Sequence, residues 1–513
     1  MIRRAIYSPD LDPFIQREAA ARKVIPSAGA PLLESLRALA APATPLRIVI
    51  VGAGLSGLCA AYELEQLGHT TIILEADSSH IGGRARTIRF GDGLYGEAGA
   101  MRIPKNHLVT RYYIDLFKLP LRKFVQSNDN AFYFVRGKRV RLKDEAQLKP
   151  LFSLTPQEEQ MSPYDMWKRA VVDLLHGLIK PELDDLDSFE FDTTNVRAID
   201  QRSLQQLLEV TGLSEDAIEF LSSTWGLETT LPLAATEVLR EELKAIWSLD
   251  FDEIVGGTDL LPKAFADNLK SKPRNGCEVV RLEQDATGKK AAAIYREGGS
   301  LKREEGDFLI CTLPLPVLSR LEVAPVFSGP KMEAIRRINY DSATKVLAVA
   351  KRRFWEQDDK IFGGGSSTDL PTGFTYYPSD NAEAKDPAIS AAPAVILASY
   401  TWGQSARRLA SLQQKDAANV VLRSLSNLHP QIAKEGIIEK VVRWNWDNHP
   451  WSSGAYAFLQ PGQHTALIKD IISPEGRIFL AGEHTSLTHS WMQGALESAQ
   501  RTVAELIKAA GTI

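Results

Sequence analysis

Cysteine is scarce in this sequence: 513 residues carry only Cys59, Cys277 and Cys311. The three form no C-x-x-C pair and no metal-ligand spacing, so neither a disulfide framework nor a bound metal is expected. Each sits in an apolar segment, where a buried free thiol is the plain expectation, and a reducing compartment fits that usage. Long apolar runs are missing too. Nothing approaches the roughly 18 residues of a membrane span. The N-terminus, MIRRAIYSPDLDPFIQREAAARK, has basic residues but no apolar signal core, and the chain ends on the helix-like AQRTVAELIKAAGTI. A cytoplasmic protein without a membrane anchor is expected. Charge of one sign is absent: 60 Lys and Arg against 64 Asp and Glu leave a net −4. Nothing therefore points to nucleic acid or an anionic membrane as partner. Tandem repeats and low-complexity tracts are absent, which excludes a solenoid.

What is present is ample core material, 44% hydrophobic against 24% charged residues. At this length two or three domains are expected. The most informative stretch is Arg47 to Glu75, RIVIVGAGLSGLCAAYELEQLGHTTIILE. Leu46 to Val51 reads as a buried strand, Leu58 to Leu67 as a helix stopped by Gly68, and Thr70 to Leu74 as a second strand. Gly52, Gly54 and Gly57 between them follow G-x-G-x-x-G. The first allows the tight turn, the second a close approach to a pyrophosphate, the third close packing of helix on strand. The helix N-terminus favours phosphate, and Glu75 stands where a carboxylate meets a ribose. A dinucleotide site is expected, against an ordinary Gly-rich turn in another α/β unit.

Before this unit, residues 12–24 and 31–40 read as short helices joined to it by the stiff linker 41–45. After it comes SHIGGRAR, where Gly82 and Gly83 permit a second close approach; Arg84 or Arg86 reaches a phosphate, or the segment is a polar loop. In YGEAGAMRIP, Arg102 sits in an apolar neighbourhood, either as a structural ion pair or as a fork for a substrate carboxylate. Residues 136–141 form a basic hairpin, read as a solvated turn. Residues 162 to about 249 are helical, an insertion able to wall a substrate path. His176 there reads as structural. Phe251 to Thr258 is read as Gly-rich loop and Asp259 to Leu269 as a helix. Strands are expected at 277–283, 290–295, 307–312, 342–350 and 394–400. A second strand–Gly–acid–helix unit runs from Arg477 through Glu483 to the helix 492–509.

The segments VGAGLSGLCAAYEL, ILEA, IGGRARTI, GAMRIP, FDEIVGG, SATKVLAVAKRRFW and LAGEHTSLTHSWMQGALESA, in this order, resemble the FAD-dependent amine oxidase family, and within it the L-amino-acid oxidases. The resemblance covers nearly all of residues 46 to 510. It implies an α/β (α+β) fold of amine oxidase and glutathione reductase architecture. A Rossmann-like FAD-binding domain would span 46–105, 251–336 and 472–513. A mixed-sheet substrate domain would span 106–150 and 337–471, and a helical domain 151–250, behind an extension and linker at 1–45.

The resemblance also implies a set of site residues. Gly52, Ala53, Gly54, Ser56 and Gly57 would take the phosphates, Glu75 and Ala76 the adenosine ribose, and Gly83 and Arg84 the pyrophosphate. Val279 would hold the adenine edge through its backbone, and Gly482 and Glu483 the pyrophosphate–ribityl region. Gly99, Ala100, Met101 and Arg102 would pass the flavin ring, Trp444 and Trp491 would flank it, and Met492 would face its N1–C2=O edge. Monoamine oxidases carry a flavin-linked Cys where this chain has Ala455, so noncovalent FAD is expected. Lys345 is similar to the family's lysine that holds a water near flavin N5. Arg102, Tyr400, Ser490 and Trp491 would bind substrate. Some relatives place a His in the helical region as proton acceptor; the matching LKAIWSLDFDE has none, and Trp247 or a neighbour stands instead.

The implied reaction is oxidative deamination of an L-amino acid. Hydride leaves Cα for flavin N5, the imino acid hydrolyses to a 2-oxo acid and ammonia, and O2 is reduced to H2O2. The rivals are an amino-acid 2-monooxygenase, a mono- or polyamine oxidase, and a flavin-containing scaffold protein. The partners implied are a small molecule and O2, in a homodimer or higher homo-oligomer. Trp225, Trp247, Trp451 and Trp491 either line an aromatic pocket or are core; a carboxylate such as Glu228 would instead select basic side chains.

Overall fold

The computed structural model describes residues 44–247 and 250–511. The expected helices at 12–24 and 31–40 lie outside the described residues. The strand β1 (Arg47–Val51) is buried from Ile48 onward, as its RIVIV sequence requires of a central strand covered on both faces. It runs into the helix α1 (Leu55–Gln66) and then the strand β2 (Thr70–Glu75). The expected helix start at Leu58 is corrected to Leu55. Gly54 is the N-cap, and Gly57 lies inside the first turn rather than before it.

β1 and β2 belong to a five-stranded parallel sheet in the order Arg274–Asn275, β2, β1, Phe308–Cys311, Ile478–Leu480. Helices α1 and Met492–Gly511 pack together on one face, in a core with Phe308, Ile310 and Phe479. The other face meets a four-stranded sheet whose strands are Ser300–Gly306, Ala291–Glu297, Glu278–Gln284 and Glu322–Ala324. Ser300–Gly306 was not expected as a strand; its SLKREEG is polar but for Leu301 and Gly306, as suits a largely exposed outer strand of that sheet.

A second, seven-stranded mixed sheet follows the order Ile438–Asn445, Ala343–Ala350, Ala394–Trp402, Phe374–Tyr376, Gly365–Thr368, Phe132–Val135, Lys138–Arg141. Ala343–Ala350 is buried at every position. This sheet shares its core with helices drawn from residues 156–243. Phe251–Ile254, expected as loop, is a strand between Ile103–Pro104 and Leu121–Phe124. The basic hairpin is present, with an exposed turn at Arg136 and Gly137, and its second strand, Lys138–Arg141, is the edge of the sheet. Three of its arginines also lie on rings: Arg139 and Arg141 over Phe132 at 4.7 and 4.1 Å, Arg136 over Phe152 at 4.0 Å. Arginine stems covering apolar edges in this way do more than solvate a turn. No described helix is long and apolar enough to cross a membrane.

Candidate active site

The turn after β1 is dictated by two glycines. Gly52 has φ +100°, and a Cβ there would sit 2.7 Å from Thr312 Oγ1. At Gly57 a Cβ would come within 2.0 Å of the Gly52 carbonyl oxygen, so α1 approaches the turn only because no side chain intervenes. Gly54 is different: nothing lies within 4 Å of its Cβ position, and no side chain caps the helix it begins. The first N–H groups of α1 therefore face open space, the arrangement that receives an anion.

That space is part of a cavity of about 630 Å³. The nucleotide sheet contributes Gly52, Gly54, Ser56, Glu75, Ala76 and Val279 to its walls. Glu75 is buried, and its two oxygens accept the backbone N–H of Ala53 at 2.7 Å and of Asp77 at 2.8 Å. Burial raises its carboxyl above the usual range, and these N–H groups hold it back. Gly83, Arg84, Gly482 and Glu483 also line the cavity. Arg84 Nη1 donates to Glu483 Oε1 at 2.7 Å and to the Ala455 carbonyl at 3.0 Å. Glu483 also accepts the backbone N–H of Ala457 and of Ser490, so one carboxylate ties together three loops. Burial opposes its ionisation, but Arg84, His484, His489 and the Ser490 N–H together outweigh that and keep its pKa below the ordinary value. Ser490 is held at φ +67° by this bond and faces the cavity beside Trp491 and Met492.

A second group of lining residues is aromatic: Tyr400, Trp402, Trp446, Trp247 and Trp491. Among them stands Arg102, from the turn that follows Gly99–Met101. Its Nη1 donates to Gln126 Oε1 at 2.9 Å and to the Tyr376 hydroxyl at 3.2 Å. Its guanidinium lies 5.0 Å from the Trp247 ring and 5.7 Å from those of Phe251 and Tyr376. Among the described residues no carboxylate pairs with Arg102, and its Nε and Nη2 hydrogens meet no acceptor. Of the two readings the sequence left open, a structural ion pair is absent. Tyr400 packs against Trp402 with ring centres 4.0 Å apart and planes tilted by 40°, and burial pushes its hydroxyl up to about 12.

Four expected site residues do not line the cavity: Ala53, Gly57, Lys345 and Trp444. The first two shape the turn from behind. Lys345 is buried under the Gly99–Met101 turn, where Nζ donates to the Gly99 carbonyl at 2.6 Å and meets Met101 Sδ at 3.3 Å. Burial depresses its pKa, partly countered by Glu97, whose own carboxyl burial raises. Trp444 packs beneath Arg86 at 4.5 Å, and Trp446, two residues on, takes the place at the cavity wall with Nε1–H on the Ala98 carbonyl at 3.0 Å. Of the tryptophans weighed for a pocket, Trp225 is core against Trp167, while Trp247, Trp451 and Trp491 line the cavity. Glu228 and His176 are exposed outside it.

Sequence reasoning missed the contribution of the helix Ala235–Leu243. Glu237, Val238, Arg240 and Glu241, with Lys244 beyond its end, lie on the cavity side at helical spacing. Glu237 accepts His489 Nδ1 at 2.6 Å and pairs with Arg240 at 2.5 Å. Burial notwithstanding, these cations hold Glu237 down at about 2. Charged residues at positions 237, 240, 241 and 244, recurring at helical spacing, were the available signal, although Glu242 beside them carries a charge and does not line the cavity. Asp341, which accepts the Tyr456 hydroxyl at 3.1 Å, is a further lining carboxylate, raised by burial to about 6.

Residues 55–507 match the sequence family of flavin containing amine oxidoreductases. YobN of Bacillus subtilis (strain 168) is 35% identical over 478 residues, covering 91% of this chain and 96% of that one. The L-amino-acid oxidase of Siganus canaliculatus is 30% identical over 466 residues, 91% of this chain and 86% of its own. In three dimensions, wild-type putrescine oxidase bound to putrescine superposes with a TM-score of 0.72 at 20% identity, covering 91% of this chain and all of that one.

Proposed function

The chain belongs to the flavin-containing amine oxidoreductase family, and from that premise we propose that it is an FAD-dependent oxidase of L-α-amino acids. The observation that carries the choice of substrate is Arg102. A cation in an aromatic cavity, held by neutral acceptors and with Nε and Nη2 hydrogens to spare, is a fork for a carboxylate. The relatives named as L-amino-acid oxidases support the same choice.

The residues present suit FAD. The uncapped N-terminus of α1 at Gly54 accommodates a pyrophosphate, Glu75 and the strand at Val279 flank the adenosine part, and the helix beginning at Met492 presents a second positive end. Binding would be noncovalent. Ala455 stands where monoamine oxidases carry their linking Cys, and the one thiol at the cavity, Cys277, is beside Glu75. The flavin, when bound, supplies the hydride acceptor and passes the electrons to O2.

The chain's own part is orientation. Arg102 fixes the carboxylate, with Tyr400 as second partner, and Trp491 and Ser490 bound the remaining space. Fixing one face of Cα in this way converts a bimolecular encounter into a positioned reaction. Lys345 acts from beneath, holding the Gly99 carbonyl and the Met101 sulfur and so the turn that carries Arg102. The products would be a 2-oxo acid, ammonia and H2O2, with one O2 and one water consumed.

A peroxide-coupled screen of the twenty L-amino acids, their D-forms and the corresponding amines tests this reading. Peroxide with L-amino acids and not with amines is expected. Turnover confined to amines would transfer the chain to the amine oxidases; an amide with CO2 in place of the 2-oxo acid would make it a monooxygenase.

A further inference from the structure

Glu241 leaves the helix Ala235–Leu243 toward the cavity and divides its carboxylate between two indoles. Oε2 accepts Trp247 Nε1–H at 2.8 Å, and Oε1 accepts Trp491 Nε1–H at 3.2 Å. The two rings lie 5.6 Å apart at 59°. The three residues come from separate places: a helix, the turn that follows it, and a loop 250 positions away in the chain. Among the described residues no cation pairs with Glu241. Its charge is met instead by two N–H dipoles.

Each indole leads further into the site. Trp247 carries the Arg102 guanidinium over its ring at 5.0 Å. Trp491 stacks on Phe251 at 6.5 Å and meets His107 edge-on at 4.9 Å. Rotation of Trp247 would remove the nearest of the three rings around Arg102, whose two hydrogen bonds both run through Nη1 and so leave the tilt of the guanidinium to those rings. We propose that Glu241 is a positioning residue: it locks both indoles and, through Trp247, sets the plane of the Arg102 fork.

A carboxylate on a cavity wall has two other uses, taking a proton from substrate or selecting a cationic side chain. Either use would draw the carboxylate toward the substrate. Here each oxygen already accepts an N–H from a packed ring, hydrogen bonds to an ionised acceptor are the strong kind, and a proton or cation taken up by Glu241 would weaken both indole contacts. The kinetic part of this inference rests on the amino-acid oxidase reading; the structural part does not.

The test uses the FAD-loaded protein and the variants Glu241→Gln, Glu241→Ala, Trp247→Phe and Trp491→Phe. Glu241→Gln keeps the volume but turns an NH2 toward one indole N–H, releasing that ring. KM for the preferred L-amino acid should rise about 10- to 100-fold, the loss expected for a hydrogen bond to a charged group, with kcat changed less than about threefold. The near-ultraviolet circular dichroism of the indoles should lose amplitude whether or not substrate is turned over. In the Trp247→Phe background, which lacks the N–H, Glu241→Gln should raise KM several-fold less than alone, since contacting residues couple. The proposal is overturned by an unchanged indole dichroism with unchanged KM, by strict additivity in the double variant, by loss of one limb of the kcat/KM pH profile with KM intact, or by an effect confined to basic substrates. If the wild-type protein oxidises no amino acid, the functional reading fails on its own, and the dichroism of the four variants still decides the positioning role.

Discussion

Replacing Arg102 with Met removes the cation that lies over the Trp247 ring at the cavity wall and keeps a side chain of similar length. The cost to the fold is modest: two hydrogen bonds to neutral partners and the contact with Trp247, together about 1.5–4 kcal/mol. The protein should fold and load its cofactor. The cost to an amino-acid substrate is larger. Its carboxylate would lose two charge-assisted hydrogen bonds, each about 1.5–3 kcal/mol, in a cavity whose other walls there are rings. A loss of about 4 kcal/mol corresponds to roughly a thousandfold in kcat/KM. Arg102→Lys keeps the charge but not the fork and should lie between, about 10- to 100-fold down. The assay is the rate of anaerobic flavin bleaching, measured for an L-amino acid and for the amine obtained by removing its carboxylate. The amine has nothing to lose at Arg102, so its slow rate should stay within about threefold of wild type on Arg102→Met. Equal falls for amino acid and amine, or an amino-acid rate within a few-fold of wild type, would refute the carboxylate role.

Other outcomes follow from the same geometry. Gly57→Ala should unfold or strongly destabilise the protein, since its Cβ falls 2.0 Å from a backbone oxygen, whereas Gly54→Ala should melt as wild type yet bind FAD more weakly, because only a bound group would fill that space; thermal melts of the cofactor-free protein and FAD titrations separate the two. Lys345→Met takes the donor from the Gly99 carbonyl and should slow flavin turnover through a loosened Gly99–Met101 turn; stopped-flow of both half-reactions, unchanged in rate, would reject that role. Burial first, and Arg240 second, hold His464 down at about 3, against about 6.5 in an unfolded chain. The unfolded state therefore binds a proton that the native state refuses, and the stabilising contribution, fully present above pH 6.5, is lost as pH falls from 6.5 toward 3. The slope is about 1.4 kcal/mol per pH unit. His464→Phe, which can keep the flat stack on Phe191 now at 3.8 Å, should make urea midpoints less pH-dependent by about one proton in that window.

Particular residues show how far the sequence was legible. Four of the five strands of the parallel sheet are short, apolar and buried over most of their length, so composition marks them, while Arg274–Asn275 is polar and exposed. The polar edge strand Ser300–Gly306 and the strand Phe251–Ile254 carry no such mark; their partners, not their residues, make them strands. Arg102, Tyr400, Ser490 and Trp491 reach the cavity as expected, but Trp444 does not. Near the end of a strand, side chains two residues apart no longer share a face, and Trp446 lies just past the strand Ile438–Asn445. Glu241 reads in the sequence as one more charge on a helix that carries several. Its use depends on two indole N–H groups arriving from elsewhere.

The strand–turn–helix unit from Arg47 to Glu75 was determined by the sequence itself, because its geometry is largely local. Gly52, at φ +100°, and Gly57, whose Cβ would fall 2.0 Å from the Gly52 carbonyl oxygen, set a backbone path that side chains there do not permit, while Gly54 leaves open space beside it. Tertiary structure alone decided what that unit is joined to. Arg84 meets Glu483 across 399 residues, and Trp491 meets Glu241 across 250. Such pairs are set by how the sheets and helices pack, and packing follows from buried area summed over whole faces, in which no single residue announces its partner.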